Sequence, residues 1–227
     1  VAAGKWFYET TGNRAKLPTM YTPPHNNQDD PAALSAFMQA HPFATLVTGG
    51  GEGLMATHLP LVVTESCDSM VLLGHVSKAN PQWRDLEAGG DVLAIFSEPH
   101  AYVSPSNYDP GRWVPTWNYV AVHAYGAATI VEDREAKLAV LSAAVRVSEP
   151  GYQAEFDTFP ADFVDAKLKG LVAFEVVVSR VEGRWKLSQD RTAAERERIS
   201  LSMRLSGDPS AERLAEYMEH PALSNAR

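Results

Sequence analysis

The chain has 227 residues, of which 45% are hydrophobic and 21% charged, a balance typical of a soluble globular protein with a sizeable core. The formal net charge of −8 excludes a broadly basic nucleic-acid-binding surface, and no apolar run reaches the roughly 20 residues that span a bilayer. The single cysteine, Cys67, excludes an intrachain disulfide and favours a reducing, cytoplasmic location. Because it lies in a turn pattern, we interpret it as an incidental loop thiol.

The first nineteen residues do not fit the pattern of the rest. Met20 is followed by Tyr-Thr-Pro-Pro and has the pattern of a natural start. We therefore expect residues 1–19 to be an N-terminal extension or an expression-derived segment, and residues 20–227 to form a single domain that ends in helices. No secretory signal is expected, because residues 1–19 lack an apolar h-region.

The regular pattern begins with a helix that Asp29 or Asp30 caps and Pro31 opens, and that ends at His41-Pro42. Short apolar runs bounded by turn signals then predict strands. In chain order these strands cover residues 43–49, 54–64, 70–77, 91–97, 100–104, 118–132, 171–183 and 184–189. Further helices are predicted over residues 81–90, 133–149, a short stretch ending at 170, 193–207 and 210–220.

Three local features refine this prediction. A turn at Glu98-Pro99 separates the fourth and fifth strands, and the last two strands form a hairpin. In the long strand over 118–132, Val120, Val122 and Ala124 share one face, and Gly126 indicates a bulge or bend. Residues 150–160 are predicted to be a loop. Because helices do not alternate with strands, the pattern favours a mixed, mainly β, antiparallel barrel with peripheral helices over a doubly wound sheet.

The segment Ser97–Gly126 concentrates aromatic rings and prolines. It holds two of the five tryptophans, four of the eight tyrosines and four prolines. Stiff aromatic segments of this kind either line a pocket or cap a core, and composition alone does not decide between the two.

The histidines lack the spacing of a metal site or a catalytic triad, so neither is predicted. Several of them lie beside turns or prolines, together with lysine and amide side chains. Imidazole, ammonium and amide groups could surround an anionic, planar ligand, with indole and phenol rings stacking on it. The residues that form this pattern are His58, His75, Lys78, Asn80, His100, His123 and Lys186.

The order of these motifs resembles the PaiB-type FMN-binding negative transcriptional regulators over about Met20 to Gly207. The resemblance is carried by MYTPPH, HPFATLVT, A-x-HLPL, GHVSKANPQW, PHAYVSPSNY, VPTWNYVAVHAYG, LVAFEV and KLSQDR. It implies an antiparallel split β-barrel of the FMN-binding type, and a homodimer with flavin at the subunit interface. Two departures are Glu98, where the family commonly has glycine, and Asn107, where it commonly has tryptophan.

The resemblance also implies a site. Lys78 and Asn80 would lie near the phosphate of FMN. The pocket would be lined by His58, Tyr102, Ser104, Trp117, Asn118 and Tyr119, with His123, Lys186 and Gln189 completing its wall or reaching it from the other subunit.

Three alternatives stay open at this point. The chain is also similar to heme-dependent piperazate synthases, which close an N–N bond in N-hydroxyornithine. Under that hypothesis the cofactor is heme b and His75 is its axial ligand, although FMN is favoured. An FMN-dependent oxidoreductase is a second alternative, so whether the protein is an enzyme is not decided. Direct DNA contact is a third.

The DNA-contact hypothesis rests on arginines near the end of the chain, where glutamates interrupt the positive charge. Mixed charge of this kind is more typical of a solvated helix face. The arginines concerned are Arg191, Arg196, Arg198 and Arg204.

Overall fold

The structure is a computed structural model that describes residues 20–50, 53–66 and 69–220. The strands in these ranges are β1 (Asn27–Gln28), β2 (Phe43–Gly50), β3 (Gly53–Pro60), β4 (Val62–Ser66), β5 (Ser69–Ser77), β6 (Asp91–Val103), β7 (Thr116–Val131) and β8 (Leu171–Lys186). The helices are α1 (Pro31–Ala40), α2 (Trp83–Glu87), α3 (Arg134–Ser148), α4 (Gln153–Phe156), α5 (Ala161–Leu168), α6 (Ala193–Arg204) and α7 (Pro209–Glu219). Short 3-10 helices cover Pro24–Asn26, Pro105–Asn107 and Pro150–Tyr152. The predictions for residues 1–19 and for Cys67 lie outside the described residues.

All eight strands belong to one sheet with the order β3-β2-β6-β7-β8-β5-β4, and β1 pairs separately with β8. The path has two ends, β3 and β4, so it does not close into a ring. Strand β2 pairs with β3, and β5 with β8, in antiparallel registers. This confirms the mainly β, antiparallel class. Of the helices in the described ranges, none has both the length and the apolar character needed to cross a membrane.

The described residues form two compact units, each built from separated stretches of chain. The first unit contains Pro42–Ile95 and Ala124–Arg180. The second contains residues 20–41, Phe96–His123 and residues 181–220. Strands β6, β7 and β8 each contribute residues to both units.

Helix α1, in the second unit, begins and ends where its sequence predicts. The Asp30 carboxylate accepts a hydrogen bond from the Ala32 amide at 3.1 Å, Pro31 occupies the first turn, and His41 is the C-cap. The apolar face of α1 is buried, and its Phe37 ring lies 5.3 Å from the Trp185 ring. Local capping therefore defines the ends of the helix, and ring packing defines its buried face.

The predicted turn at Glu98-Pro99 is wrong, because β6 continues through it. Along β6 the buried residues are first even-numbered, ending at Phe96, and then odd-numbered, beginning at Pro99. Ser97 and Glu98 between them are both exposed. The two predicted strands are thus one strand whose buried face shifts by one residue at this point.

The predicted hairpin around Gly183 is also wrong, since β8 is one strand of 16 residues. A Cβ atom at Gly183 would lie 2.8 Å from the Gln28 carbonyl oxygen and 2.8 Å from the Trp185 ring, and it would overlap Leu34. Glycine is needed here because β1 and α1 come close, and not because the chain turns. Gly126 has the same role in β7, where the backbone of Val177 approaches it.

Two smaller predictions differ from the structure because of contacts made by the residues concerned. The predicted strand over 54–64 divides at Leu61, whose backbone amide donates to the Pro42 carbonyl at 2.8 Å. The predicted loop over 150–160 contains a 3-10 turn and α4, because its aromatic rings pack on one another. Phe159 lies 5.8 Å from Phe156 and 6.3 Å from Tyr152.

Helices α6 and α7 are joined by an ion pair that predicts an acid-sensitive contact. Arg204 Nε donates to Glu219 at 2.8 Å, Ser200 Oγ donates at 2.5 Å, and together they lower the pKa of Glu219 to about 2. A depressed carboxyl pKa gives stability that is present above the ordinary value of 4.5 and lost as the pH falls towards 2. We expect the thermal unfolding midpoint to fall over this window.

The matching variant is Glu219→Gln. It should unfold at a lower temperature at neutral pH and respond less than the wild type to acid between pH 4.5 and 2, measured by circular dichroism melts. Identical acid dependence in both proteins would show that other carboxyls control this transition.

Candidate functional site

The first unit holds a fixed turn, Lys78–Gln82, that contains the two residues assigned to the phosphate. Asn80 Nδ2 donates to Thr57 Oγ1 on β3 at 2.8 Å, and Asn80 Oδ1 accepts from the Gln82 amide at 3.0 Å. The Lys78 amide donates to the Gly170 carbonyl at 2.9 Å. The turn is therefore tied to its surroundings at its beginning and at its centre.

The side chain of Lys78 is exposed on this turn, and within the described residues its ammonium group makes no hydrogen bond or ion pair. Its carbonyl accepts a hydrogen bond from the Trp83 indole at 3.1 Å, and Arg84 lies over the Trp83 ring at 4.9 Å. From Ser77 through Arg84 the sequence contains no acidic residue. A positively charged group without a partner, on a fixed backbone, is suited to binding an anion.

Gln82 is completely buried below the turn, and sequence reasoning did not single it out. Its Nε2 lies 3.1 Å from the Leu46 carbonyl, 3.2 Å from Thr48 Oγ1 and 3.3 Å from the Met55 carbonyl. The side chain thus reaches both β2 and β3. Its position inside the GHVSKANPQW motif was the only signal in the sequence that could have identified it.

His58 lies on β3, but on the opposite face from Thr57, because successive residues of a strand point to opposite sides. Its Nδ1 lies 2.9 Å from Thr45 Oγ1, and its ring stacks near Phe43 at 6.4 Å. The side chain of His58 and the hydrogen bond between Thr57 and Asn80 therefore lie on opposite faces of β3.

His75 is half-buried in β5, opposite Ala173 of β8. Burial lowers its pKa, which favours the neutral form of the imidazole. Among the described residues it has no hydrogen-bond partner, and no three His, Cys, Asp or Glu side chains lie close enough there to hold a metal ion.

In the second unit, predicted pocket residues form an exposed aromatic cluster. The Trp117 ring lies 6.0 Å from the Tyr102 ring and 6.0 Å from the His100 ring. Tyr102 is 52% and Trp117 53% exposed, so both present ring surface to a ligand or a partner. Aromatic faces of this kind suit planar groups.

Lys186 contacts the backbone next to this cluster. Its Nζ donates to Thr116 Oγ1 and, at 2.6 Å, to the Trp117 carbonyl. Burial, followed by the charge of Arg184, lowers the pKa of Lys186 below its usual range, with Asp190 acting in the opposite direction. The lysine fixes the beginning of β7.

Three other predicted pocket residues make hydrogen bonds within the second unit. Ser104 Oγ accepts from the Ser106 amide at 3.2 Å and caps a 3-10 turn. Asn118 is fully buried and exchanges hydrogen bonds with Ser188 at 2.9 and 3.1 Å. Gln189 accepts from the Leu187 amide at 2.7 Å and donates to the Trp185 carbonyl.

The remaining two predicted pocket residues lie on β7. Tyr119 is half-buried, with the Arg184 guanidinium 5.2 Å from its ring. His123 is half-buried as well.

Helix α6 holds the loop that follows the 3-10 turn, an arrangement that the sequence did not indicate. Glu195 is buried and accepts from the Asp109 amide at 3.0 Å, a bond that lowers the pKa of the Glu195 carboxyl. Arg198 donates to the Asn107 carbonyl at 2.8 Å and to Asp109 at 2.6 Å. The loop is thereby fastened to α6 at Asn107 and at Asp109.

The arginines considered for DNA contact are used within the protein. Arg191 lies over the Tyr108 ring at 4.0 Å and the Trp113 ring at 4.5 Å. Arg196 donates to the Met218 carbonyl at 3.1 Å, and Arg204 pairs with Glu219 as described above. With Arg198 bonded to Asp109, all four have partners in their own chain.

Comparison with known proteins identifies the family of the chain. Residues 20–180 match the family described as "Putative FMN-binding domain". The "Protease synthase and sporulation protein PAI 2" of Bacillus subtilis (strain 168) is 34% identical over 206 residues, which is 88% of this chain and 97% of that protein.

Two solved structures are similar in fold. The FAD and heme binding protein of Mycobacterium smegmatis has a TM-score of 0.57 at 16% identity, covering 76% of this chain and 78% of its own. The flavocytochrome Anf3 of Azotobacter vinelandii has a TM-score of 0.55 at 17% identity, covering 70% and 68%. At such identities these structures show similarity of fold alone, and they confirm the split-barrel prediction. The family-model match and the relative that is 34% identical show that the chain belongs to the PaiB-type family of FMN-binding proteins.

Proposed function

We propose that the protein binds FMN as its cofactor and that the Lys78–Gln82 turn receives the phosphate. The observation that carries this assignment is the exposed ammonium of Lys78, which has no partner among the described residues and stands on a turn that the Asn80–Thr57 hydrogen bond holds in place. The absence of acidic residues from Ser77 to Arg84 leaves this turn positively charged. This donor set fits a phosphate dianion.

The residues of the turn have distinct tasks in this proposal. Lys78 supplies a point charge to the phosphate, while Asn80 holds the turn on β3 and leaves the ammonium free to turn towards its ligand. FMN, when bound, supplies hydride and single-electron transfer chemistry. In the second unit, the exposed rings of Tyr102 and Trp117 are surfaces on which a planar group can stack.

The direct test is the absorption spectrum of the purified protein, followed by titration with FMN. We expect two flavin bands, or saturable quenching of flavin fluorescence, with one FMN per chain. No binding up to about 100 μM FMN would overturn the proposal, since a resident cofactor held by a phosphate contact together with ring stacking should bind more tightly than this. A Soret band with retained heme would instead favour the heme hypothesis and its ligand His75.

We also propose that the protein is a homodimer. Several apolar side chains on the second unit are exposed, including Val114 at 77% and Trp113 at 47%. Neighbouring exposed apolar side chains are a common feature of surfaces that bind a partner. Light scattering at micromolar concentration should give twice the chain mass of 24.8 kDa, and a monomer mass with flavin bound would contradict the assignment.

We assign no DNA contact to α6, because its arginines are bonded within the chain.

A further inference from the structure

Gln82 is a buried amide that is only half satisfied. The residue has no exposed surface, and its Nε2 has three acceptors within reach: the Leu46 carbonyl, Thr48 Oγ1 and the Met55 carbonyl. Its Oε1 is buried and has no hydrogen-bond partner among the described residues. The amide nitrogen is therefore used fully, while the amide oxygen lacks a partner.

Packing alone does not account for a glutamine at this position. A buried acceptor without a partner is unfavourable, and an unbranched apolar side chain of similar length would fill the same space without that cost. What glutamine adds is a donor that reaches β2 and β3 at once. Thr48, one of its acceptors, also donates to Asp85 at 2.7 Å, so the contact extends to α2.

A short chain of contacts links Gln82 to Lys78. The backbone amide of Gln82 donates to Asn80 Oδ1 at 3.0 Å, and Asn80 Nδ2 donates to Thr57 Oγ1 at 2.8 Å. On the other side of Gln82, the Trp83 indole donates to the Lys78 carbonyl at 3.1 Å. The contact through Asn80 and the contact through Trp83 both depend on the position of the Gln82 backbone, because these two residues lie on either side of Gln82 in the chain.

We infer that Gln82 is a positioning residue for phosphate recognition: its buried amide fastens the Lys78–Gln82 turn to β2 and β3 and so fixes the place of the Lys78 ammonium. This inference rests on the proposed function, in which Lys78 meets the phosphate of FMN. Gln82 itself does not touch the ligand, because it is completely buried. Its effect should therefore appear only through Lys78.

The first experiment uses Gln82→Met, which keeps the length of the side chain and removes the donor. We expect the dissociation constant for FMN to rise about tenfold, while that for riboflavin, which lacks the phosphate, changes by less than about threefold. In the double variant with Lys78→Ala, the loss should be no larger than for Lys78→Ala alone, since the two residues act in series. Equal losses for both flavins, or additive losses, would mean that Gln82 supports only the fold.

A matched control is Gln153→Met, the same chemical change on α4. The Gln153 amide is also bonded, to Asp157 at 2.6 Å and to Ser142 at 3.2 Å, but it lies outside the turn and outside β2 and β3. Its ratio of FMN to riboflavin affinity should equal that of the wild type. A shift as large as that of Gln82→Met would overturn the assignment.

A second variant, Gln82→Glu, tests the donor itself and is isosteric with glutamine. The ionised carboxylate of the introduced glutamate has no donor to offer to the three acceptors, whereas the protonated acid has one. Burial raises the pKa of the introduced carboxyl group. The preference of the Gln82→Glu variant for FMN over riboflavin should therefore approach that of the wild type, measured at the same pH, as the pH falls. Because the phosphate titrates near pH 6, the comparison with wild type at the same pH is essential. A ratio that does not change with pH would contradict the donor role.

Amide hydrogen exchange on the ligand-free protein separates this inference from the proposed function. In Gln82→Met the amides of Lys78 and Asn80 should exchange at least about tenfold faster, because the hydrogen bonds to Gly170 and Ser77 open more often. Unchanged exchange would overturn the role of Gln82 whether or not flavin binds. If the wild type does not prefer FMN to riboflavin, the proposed function fails, and the exchange result still decides whether Gln82 holds the turn.

Discussion

Replacing Lys78 by alanine is expected to weaken FMN binding about ten- to a hundredfold and to leave riboflavin binding within about threefold. A hydrogen bond to a charged group contributes about 1.5–3 kcal/mol, which corresponds to this range of affinity. The ammonium is exposed and has no other partner among the described residues, so its removal leaves no unpaired group behind. Parallel titrations with the two flavins, followed by flavin fluorescence, measure the difference.

Two variants complete this test. Lys169→Ala removes another exposed lysine of the first unit, just after α5, and should bind both flavins as the wild type does. Lys78→Arg keeps the charge and should retain most of the preference for FMN. Equal weakening of FMN and riboflavin by Lys78→Ala would place the phosphate elsewhere.

Phe174→Ala is expected to lower the free energy of unfolding by about 3–5 kcal/mol, the usual cost of removing a large buried ring. Phe174 has no exposed surface and stands opposite Gly74 in the β5–β8 register. A Cβ atom at Gly74 would lie only 2.8 Å from the Phe174 ring and 2.7 Å from Leu61. The ring therefore fills the space above Gly74, and its loss leaves a cavity that neighbouring strands cannot close. Urea denaturation monitored by circular dichroism measures the change.

The same strand offers a control for this prediction. Val177 is 45% exposed, and Val177→Ala should change the free energy of unfolding by less than about 1 kcal/mol. Comparable losses at positions 174 and 177 would mean that strand propensity, and not ring packing, dominates the stability of β8.

The parts of the fold that depend on local signals were predictable from the sequence. Asp30, Pro31 and His41 define the ends of α1 through capping and proline geometry, which neighbouring residues decide. In β7, Val120, Val122 and Ala124 are buried as their alternation predicts. Both kinds of signal are contained in a short window of residues.

The features that were predicted wrongly depend on distant contacts. A glycine next to charged residues reads as a turn, but Gly183 is required because β1 and α1 pass close to it. Likewise, no local pattern indicates that the buried face of β6 changes between Phe96 and Pro99. Such positions are decided by the partner strand or helix, which is remote in sequence.

The candidate site divides in the same way. The motif resemblance led to Lys78 and Asn80, and the structure gives both a well-defined setting. It did not lead to Thr57, which bonds Asn80 from β3, because that contact depends on how β3 faces the turn. The charge pattern of α6 suggested a solvated face, whereas Glu195 is buried against the loop at Asp109. A carboxylate that binds a distant backbone amide leaves no trace in local composition.

The interleaving of the two units has a consequence for how the chain acquires its structure during synthesis. β1 and α1 precede most of the first unit in the sequence, yet Arg184, which pairs with Asn27 of β1, is made only after most of that unit. The first unit in turn must wait for Ala124–Arg180. Helix α1 is thus translated well before β8, the strand with which the neighbouring β1 pairs, and this large sequence separation favours slow folding and a need for protection of the nascent chain.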